Sequence, residues 1–196
     1  MGLIPVASDQ LATIVTTLEM REKPRPRALP ASSLRLHRWR APTPDAYRTL
    51  FRRVGGPWLW YSRLALDDAA LAAKLDGPEI FAVVDPAGVE VGMLELDFAA
   101  APDAELAYLG LVPELSGQGH GRWLMAYALT LAWRAGIARL RVNTCTLDHP
   151  RALGFYRAQG FVAIRRTIET FPDPRALGLL PEDAAPHVPY LAASRR

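Results

Sequence analysis

YLGLVPELSGQGHGRW, Tyr108 to Trp123, is an apolar run that breaks at Pro113 into a loop carrying Gly117, Gly119 and Gly121, and then opens an apolar-periodic helix. Small residues let successive backbone N–H groups turn toward one point, and the free N–H groups and positive dipole end of the helix add to the same field. Such a loop is an anion cradle. A ligand bearing phosphate is therefore the first expectation.

Working outward, Leu124, Ala128 and Leu131, with Met125, Leu129 and Ala132, give a helical repeat that lasts until Gly136. Glu105 to Val112 reads as the strand that enters the loop, and Arg139 to Thr146 alternates as the strand that follows the helix. Pro150 to Gln159 reads as a short helix stopped by Gly160, and Phe161 to Thr170 as a last strand. Upstream, Ile80 to Val84 and Val89 to Phe98 flank an Asp85-Pro86-Ala87-Gly88 turn and predict a hairpin. Thr43 or Pro44 starts a helix through about Val54, and Asp67 or Asp68 caps a shorter one to Leu75. Leu11 to Met20 and Leu34 to Trp39 read as strands, joined by a Pro/Arg-rich connection from Lys23 to Pro30. The Pro-rich remainder from Pro172 is expected to be extended or loosely packed.

The chain has 196 residues, half of them apolar, which suits one domain with appendages and a sizeable core. Cys145 is the only cysteine, so an internal disulfide and a multi-cysteine zinc site are both excluded. His37, His120, His149 and His187 are scattered without ligand spacing, and no metal is implied. The opening MGLIPVASDQ has no basic segment leading into an apolar core, and the longest apolar stretch, Trp123 to Trp133, is far short of the roughly 20 residues that cross a bilayer. The expectation is a cytoplasmic protein without a membrane partner. Net charge is only +3, yet Arg21, Lys23, Arg25, Arg27, Arg35, Arg38 and Arg40, followed by Arg48, Arg52 and Arg53, crowd one segment. That cluster lacks aromatic interleaving, and neither helix-turn-helix nor zinc-finger spacing accompanies it, so no nucleic acid is expected; a solvated basic face that helps attract an anionic cofactor is the simpler reading.

The order of strand, SGQGHG loop, helix, strand and then PRALGFYRAQGF (Pro150 to Phe161) resembles the GNAT superfamily of acetyl-coenzyme A dependent N-acetyltransferases. The resemblance is strongest from about Ile80 to Phe171 and extends to about Leu34. It implies an α/β fold: a mixed, largely antiparallel central sheet flanked by helices and splayed between its fourth and fifth core strands, where the Glu105 and Arg139 strands diverge. The implied organisation is an N-terminal strand and Pro/Arg-rich connection packed on the domain (1–33), the acetyltransferase domain (34–171) and a C-terminal Pro-rich tail (172–196). In the family's loop the first position is Gln or Arg; Ser116 departs from it, which removes one side-chain element and leaves the backbone cradle.

The resemblance implies acetyl-CoA as acyl donor. Gly119 and Gly121, with the N–H groups of Gln118, His120 and Arg122, would hold the pyrophosphate; a tight strand-to-helix turn that binds nothing is the structural alternative. Arg122 would add a charge-assisted bond to phosphate or stand exposed on its helix, and His120 is given a backbone role only. Backbone groups of Leu109 to Val112, Leu111 and Val112 above all, would bind the pantetheine arm and polarise the thioester carbonyl, while the side chains serve as strand core. Tyr156 would protonate the leaving thiolate, or is an amphipathic core tyrosine. His149 would contact the pantetheine, cap the short helix or lie on the surface.

An ammonium must lose a proton before it attacks, and the resemblance implies Glu105 as the first candidate base, since it begins the strand leading to the loop at the position of the glutamate base in histone-type relatives; alternation would also put Glu105, Leu109 and Leu111 on one side of that strand. Glu95 is second, sharing a face with Val91 and Met93, and a water chain is third. Asn143 would bridge cofactor and acceptor, or form a cross-strand polar pair. Trp58, Trp60 and Tyr61 would wall a site for a small-molecule amine or a peptide or protein amine; local core is the other reading, and the better one for at least one tryptophan. A homodimer is among the expected assemblies. A non-catalytic acetyl-CoA-binding regulatory domain is the alternative function. A dinucleotide-binding domain ranks third, since the acidic residue expected about 20 residues beyond such a loop is absent, Leu140 and Arg141 standing there.

Overall fold

The computed structural model describes residues 2–25 and 28–191; Arg27 of the basic segment lies outside the described residues. Among the described residues seven strands form one sheet: β1 (Gln10–Met20), β2 (Arg35–Arg38), β3 (Glu79–Val84), β4 (Glu90–Asp97), β5 (Asp103–Leu111), β6 (Arg139–Cys145) and β7 (Val162–Pro172). Their order across the sheet is β2-β3-β4-β5-β6-β1-β7, and every neighbouring pair is antiparallel except β5 and β6. The α-helices of the described residues accompany it: α1 (Pro44–Gly55), α2 (Asp68–Leu75), α3 (His120–Ala132) and α4 (Ala152–Ala158). The mixed, largely antiparallel sheet with flanking helices is the architecture expected from sequence. No helix among the described residues is long and apolar enough to cross a membrane.

Local chemistry accounts for the helix starts. Thr43 accepts the Ala46 N–H and Pro44 fills the first turn of α1, while Asp67 accepts the Ala70 N–H at the start of α2. The amphipathic face of α1 buries Tyr47, Leu50, Phe51 and Val54 against β4 and β5. Leu94, Leu96 and Leu106 point away from α1 and are also fully buried, so α3, which contacts the same two strands, covers that side with Leu124, Met125 and Ala128. Gly55 is there for close approach: a Cβ on it would sit 2.4 Å from the Trp60 indole.

Three features depart from the sequence reading. The first strand, expected to pack on the domain, is an interior strand of its sheet: β1 pairs Val15 to Met20 with β6 and Gln10 to Glu19 with β7. Its TIVTTLEM stretch is rich in β-branched residues suited to a strand with neighbours on both sides, but nothing local announces which neighbours. The tail is organised, not loose, over residues 172–191. Arg175 is 3% exposed, pairs with Asp173, donates to the carbonyls of Ala184 and Val188, and lies over the Tyr190 ring, so one guanidinium ties down a segment without periodicity. Burial alone would raise the Asp173 carboxyl, but its hydrogen bonds and charge contact with Arg175 hold it below the ordinary carboxylate value.

The third departure concerns Glu95. It is 0% exposed, accepts from Tyr47 Oη at 2.6 Å and Arg63 Nη2 at 2.5 Å, and takes no part in the cleft described below. Burial and the adjacent carboxylate push the Tyr47 phenol up, which keeps it a donor. A carboxylate so enclosed and doubly paired has no access to a substrate proton, and its candidacy as a base is withdrawn on that ground. Replacing one partner strands the other charge. Arg63→Met is expected to cost about 3–5 kcal/mol of unfolding free energy, read from the urea midpoint.

Candidate active site

The β5 and β6 ladder runs parallel from Asp103 opposite Arg139 to Leu106 opposite Val142, and stops there. On the other edge of β5, Leu106 faces Leu96 and Tyr108 faces Glu95, so Ala107 is an extra residue, a β-bulge. Beyond it the two strands part, and a cleft of about 1380 Å³ opens between the end of β5, the glycine loop, β6 and α4. The bulge also resets the alternation. Glu105 shares its face with Tyr108 and Gly110, and Leu109 and Leu111 lie on the opposite face, contrary to a strict period of two.

The loop is built for exposed amides. Gly117 and Gly119 have φ of +80° and +87°, conformations that side chains resist, and Gly119 caps α3 with no side-chain bond. Among the described residues the N–H groups of Gly117, Gln118 and Gly119 meet no protein acceptor, and those of His120 and Gly121 belong to the open first turn of α3. Gly121 is not demanded by the fold, since a Cβ there would make only ordinary contact with Phe155. The Gln118 side chain ties back to the Glu114 carbonyl at 2.8 Å, and Arg122 curls toward Gly119. The His120 ring is engaged elsewhere, its Nδ1 2.8 Å from Ser32 Oγ, which pins the N-terminal connection to the loop.

The strand wall divides by backbone direction. Val112 donates its N–H to Val91 and accepts from Leu115, so both of its main-chain groups are used within the fold and it offers the cleft only a side chain. Alternation turns the N–H and carbonyl of Leu111 and Leu109 the other way, toward the cleft. Ser116, standing where Gln or Arg was expected, lies 3.4 Å from His149 Nε2 and so bridges the loop to the α4 side. His149 accepts the Arg151 N–H on Nδ1, ahead of α4, and packs edge-on against Trp58, so its ring is held in the turn before that helix.

Tyr156 on α4 lines the cleft and is largely buried, edge to face with Phe155 and Phe161. Its hydroxyl has no hydrogen-bond partner among the described residues. Burial, reinforced by the Asp148 carboxylate, pushes the phenol up, so it is protonated throughout the physiological range. Glu105 is exposed in the same cleft and accepts from Asn143 Nδ2 at 3.3 Å, and Asn143 in turn accepts from Thr17 Oγ1 at 2.7 Å. Asn143 is thus a cross-strand polar link that also faces the cleft.

Three residues the sequence reading did not single out hold this arrangement. Thr17 orients Asn143 from β1, Ser32 anchors His120, and Asp148 joins Trp60 Nε1 to Thr144 Oγ1 and the Cys145 N–H. Only Asp148 carried a local signal, as the first residue of an Asp-His-Pro turn; the other two act across the chain. Of the aromatic cluster, Trp58 and Trp60 line the cleft, whereas Tyr61 stacks on Phe171 and donates to Glu169. Trp60 is at once wall and core, packed on Phe51 and Tyr108. Among the described residues no group of three or more His, Cys, Asp or Glu side chains could hold a metal.

Comparison with solved structures finds the same fold. A GCN5-related N-acetyltransferase from Sphaerobacter thermophilus superposes with a TM-score of 0.63 at 12% identity, over 82% of this chain and 51% of that one. A tandem GNAT protein from the clavulanic acid biosynthesis pathway gives 0.54 at 21% identity, over 83% and 53%, and an IAA acetyltransferase from Bacillus cereus gives 0.52 at 18%, over 68% and 79%. The chain spans about half the length of the first two. No curated protein matches it by sequence. The family model described as "Acetyltransferase (GNAT) family" matches residues 33–161, from the connection ahead of β2 through the glycine loop to the end of α4, and the chain belongs to that family.

Proposed function

We propose that this chain transfers an acetyl group from acetyl-CoA to a primary amine by direct attack in a ternary complex. The observation that carries the reading is one cleft whose loop-end amides and protonated α4 phenol have no partner among the described residues. The residues fit the coenzyme. Amides of Gln118, Gly119, His120 and Gly121, with the Arg122 guanidinium, supply positive field for a diphosphate, and Leu109 and Leu111 offer main-chain groups to an amide-bearing arm. When bound, the coenzyme supplies an acyl carbon activated as a thioester.

Glu105, held by Asn143, takes a proton from the incoming ammonium directly or through water, which frees the nitrogen lone pair. As the new C–N bond forms and the C–S bond breaks, Tyr156 gives its proton to the departing sulfur, the nitrogen passes its second proton to water, and the phenolate is later reprotonated from solvent. A main-chain N–H on β5 steadies the carbonyl oxygen as charge develops there. Trp58 and Trp60 give the acceptor end an aromatic wall suited to an amine with an apolar body, whether a small molecule or the end of a peptide or protein. The single cysteine and the nature of the donor favour a reducing, cytoplasmic setting.

A thiol-release assay over amino acids, polyamines, aminoglycosides and peptides tests turnover and names the acceptor together. Tyr156→Phe is expected to lower kcat about a hundred-fold or more while calorimetric binding of acetyl-CoA persists. An unchanged kcat would remove the phenol from the chemistry. Gly119→Ala forces a side chain into the left-handed region at about 1–2 kcal/mol and turns the loop amides aside, so the Kd for coenzyme A should rise about ten-fold or more. The pH profile has a defined sign. The amine must shed a proton before it attacks, so kcat/KM climbs as pH increases. The raised Tyr156 adds no falling limb below about pH 10, where an ordinary phenol would begin to ionise.

A further inference from the structure

The two edges of the sheet are unlike. β2 ends one side with four residues, Arg35, Leu36, His37 and Arg38, a short and largely cationic edge of the kind that discourages pairing. β7 ends the other with eleven residues that pair only with β1, so one whole side of its backbone ladder is open among the described residues. The strand is exposed on both faces from Val162 to Thr170, with Val162 at 63% and Ile168 at 61%, and Ile14 of β1 stands exposed beside Ile168. Its one irregularity falls near Ile164, opposite the Thr17 to Leu18 step, which leaves Arg165 to Phe171 straight and free of proline. A long, unpaired edge with exposed isoleucine is a template for another strand.

We propose that the occupant is a second copy of this chain, with β7 pairing antiparallel to the partner's β7 about a two-fold axis through Thr167. A two-fold axis normal to the sheet keeps faces matched, so only registers that pair residues of like parity are allowed. Centring on Arg166 sets that arginine against its own copy, like charges directly opposed, and is disfavoured. Centring on Ile168 sets Thr167 against Glu169 and Arg165 against Phe171, with no charge matched. Centring on Thr167 pairs threonine with threonine and sets Arg165 opposite Glu169 twice, once on each side of the axis. The stretch RRTIE, Arg165 to Glu169, therefore matches its charged ends around that centre, and Thr–Thr and opposite-charge pairs are the favourable cross-strand combinations. The arrangement also reaches the cleft. Glu169 lines it and accepts from Tyr61 Oη at 3.3 Å, so the partner copy would bring an arginine to the rim of each acceptor site.

Sedimentation of the full chain across a concentration series reads the assembly, and charge reversal reads the register. Arg165→Glu and Glu169→Arg should each raise the dimer dissociation constant at least about ten-fold, because two attractive cross-strand pairs become repulsive, and the double variant should restore dimerisation. Both side chains are exposed, and the urea midpoint checks that each variant is folded. A chain that is monomeric at every concentration overturns the proposal and leaves the edge to a partner of another sequence. A dimer indifferent to Arg165→Glu, or single variants that the double reversal does not rescue, overturns it equally.

Discussion

Ala107 is one residue more than its ladder can pair, and the working part of the molecule follows from that surplus. Up to Leu106 the β5 strand is held on both sides, by β4 and by β6. After the bulge it keeps β4 and loses β6, so main-chain groups that a regular sheet would consume face a cleft. The same extra residue turns Glu105 onto the face of Tyr108 and Gly110, where Asn143 can reach it from the diverging strand. Divergence, free backbone and a positioned carboxylate thus have one geometric origin. The glycine loop completes the cleft because it starts where the strand ends.

Beneath that face lies a polar core that would be costly if any member were missing. Glu95 sits on the bulged stretch of the β4 and β5 ladder with its charge answered by Arg63 and Tyr47, and the Arg63 guanidinium also lies 5.2 Å from the Tyr108 ring centre. Tyr108 closes on Ser62 and packs against Phe51 and Trp60. The aromatic wall of the cleft is therefore braced from below, Trp60 by aromatic packing and by its bond to Asp148, which in turn stands near Tyr156. An ion pair of this kind contributes little net stability compared with apolar packing, and its value lies in fixing one arrangement of the side chains around it.

Sequence disclosed what local physics controls. Helix starts at Thr43 and Asp67, the hairpin turn after Val84, and the positive-φ glycines of the loop were legible because each depends on a few adjacent residues. That Tyr156 and Glu105 line the cleft was legible through their place relative to that loop. What stayed hidden was non-local. Alternation cannot show an inserted residue, so the face of Glu105 was misjudged. A buried carboxylate looks like an accessible one until its partners from α1 and the following turn are seen, as with Glu95. Thr17 and Ser32 act on residues far along the chain, and Arg175 organises a tail that has no periodicity to read.

The placement of β1 between β6 and β7 carries a consequence for how the molecule is made. The Thr13 and Thr146 hydroxyls, 2.8 Å apart, join positions separated by 133 residues. During synthesis the first strand leaves the ribosome long before either neighbour exists, and its apolar residues, Leu18 and Met20 among them, wait without cover. Closing so large a loop carries an entropic cost that must be met before the pairing returns anything, which makes this step late and slow. Nascent chains would thus depend on chaperone shielding of that opening segment more than a sheet of nearest-neighbour hairpins would.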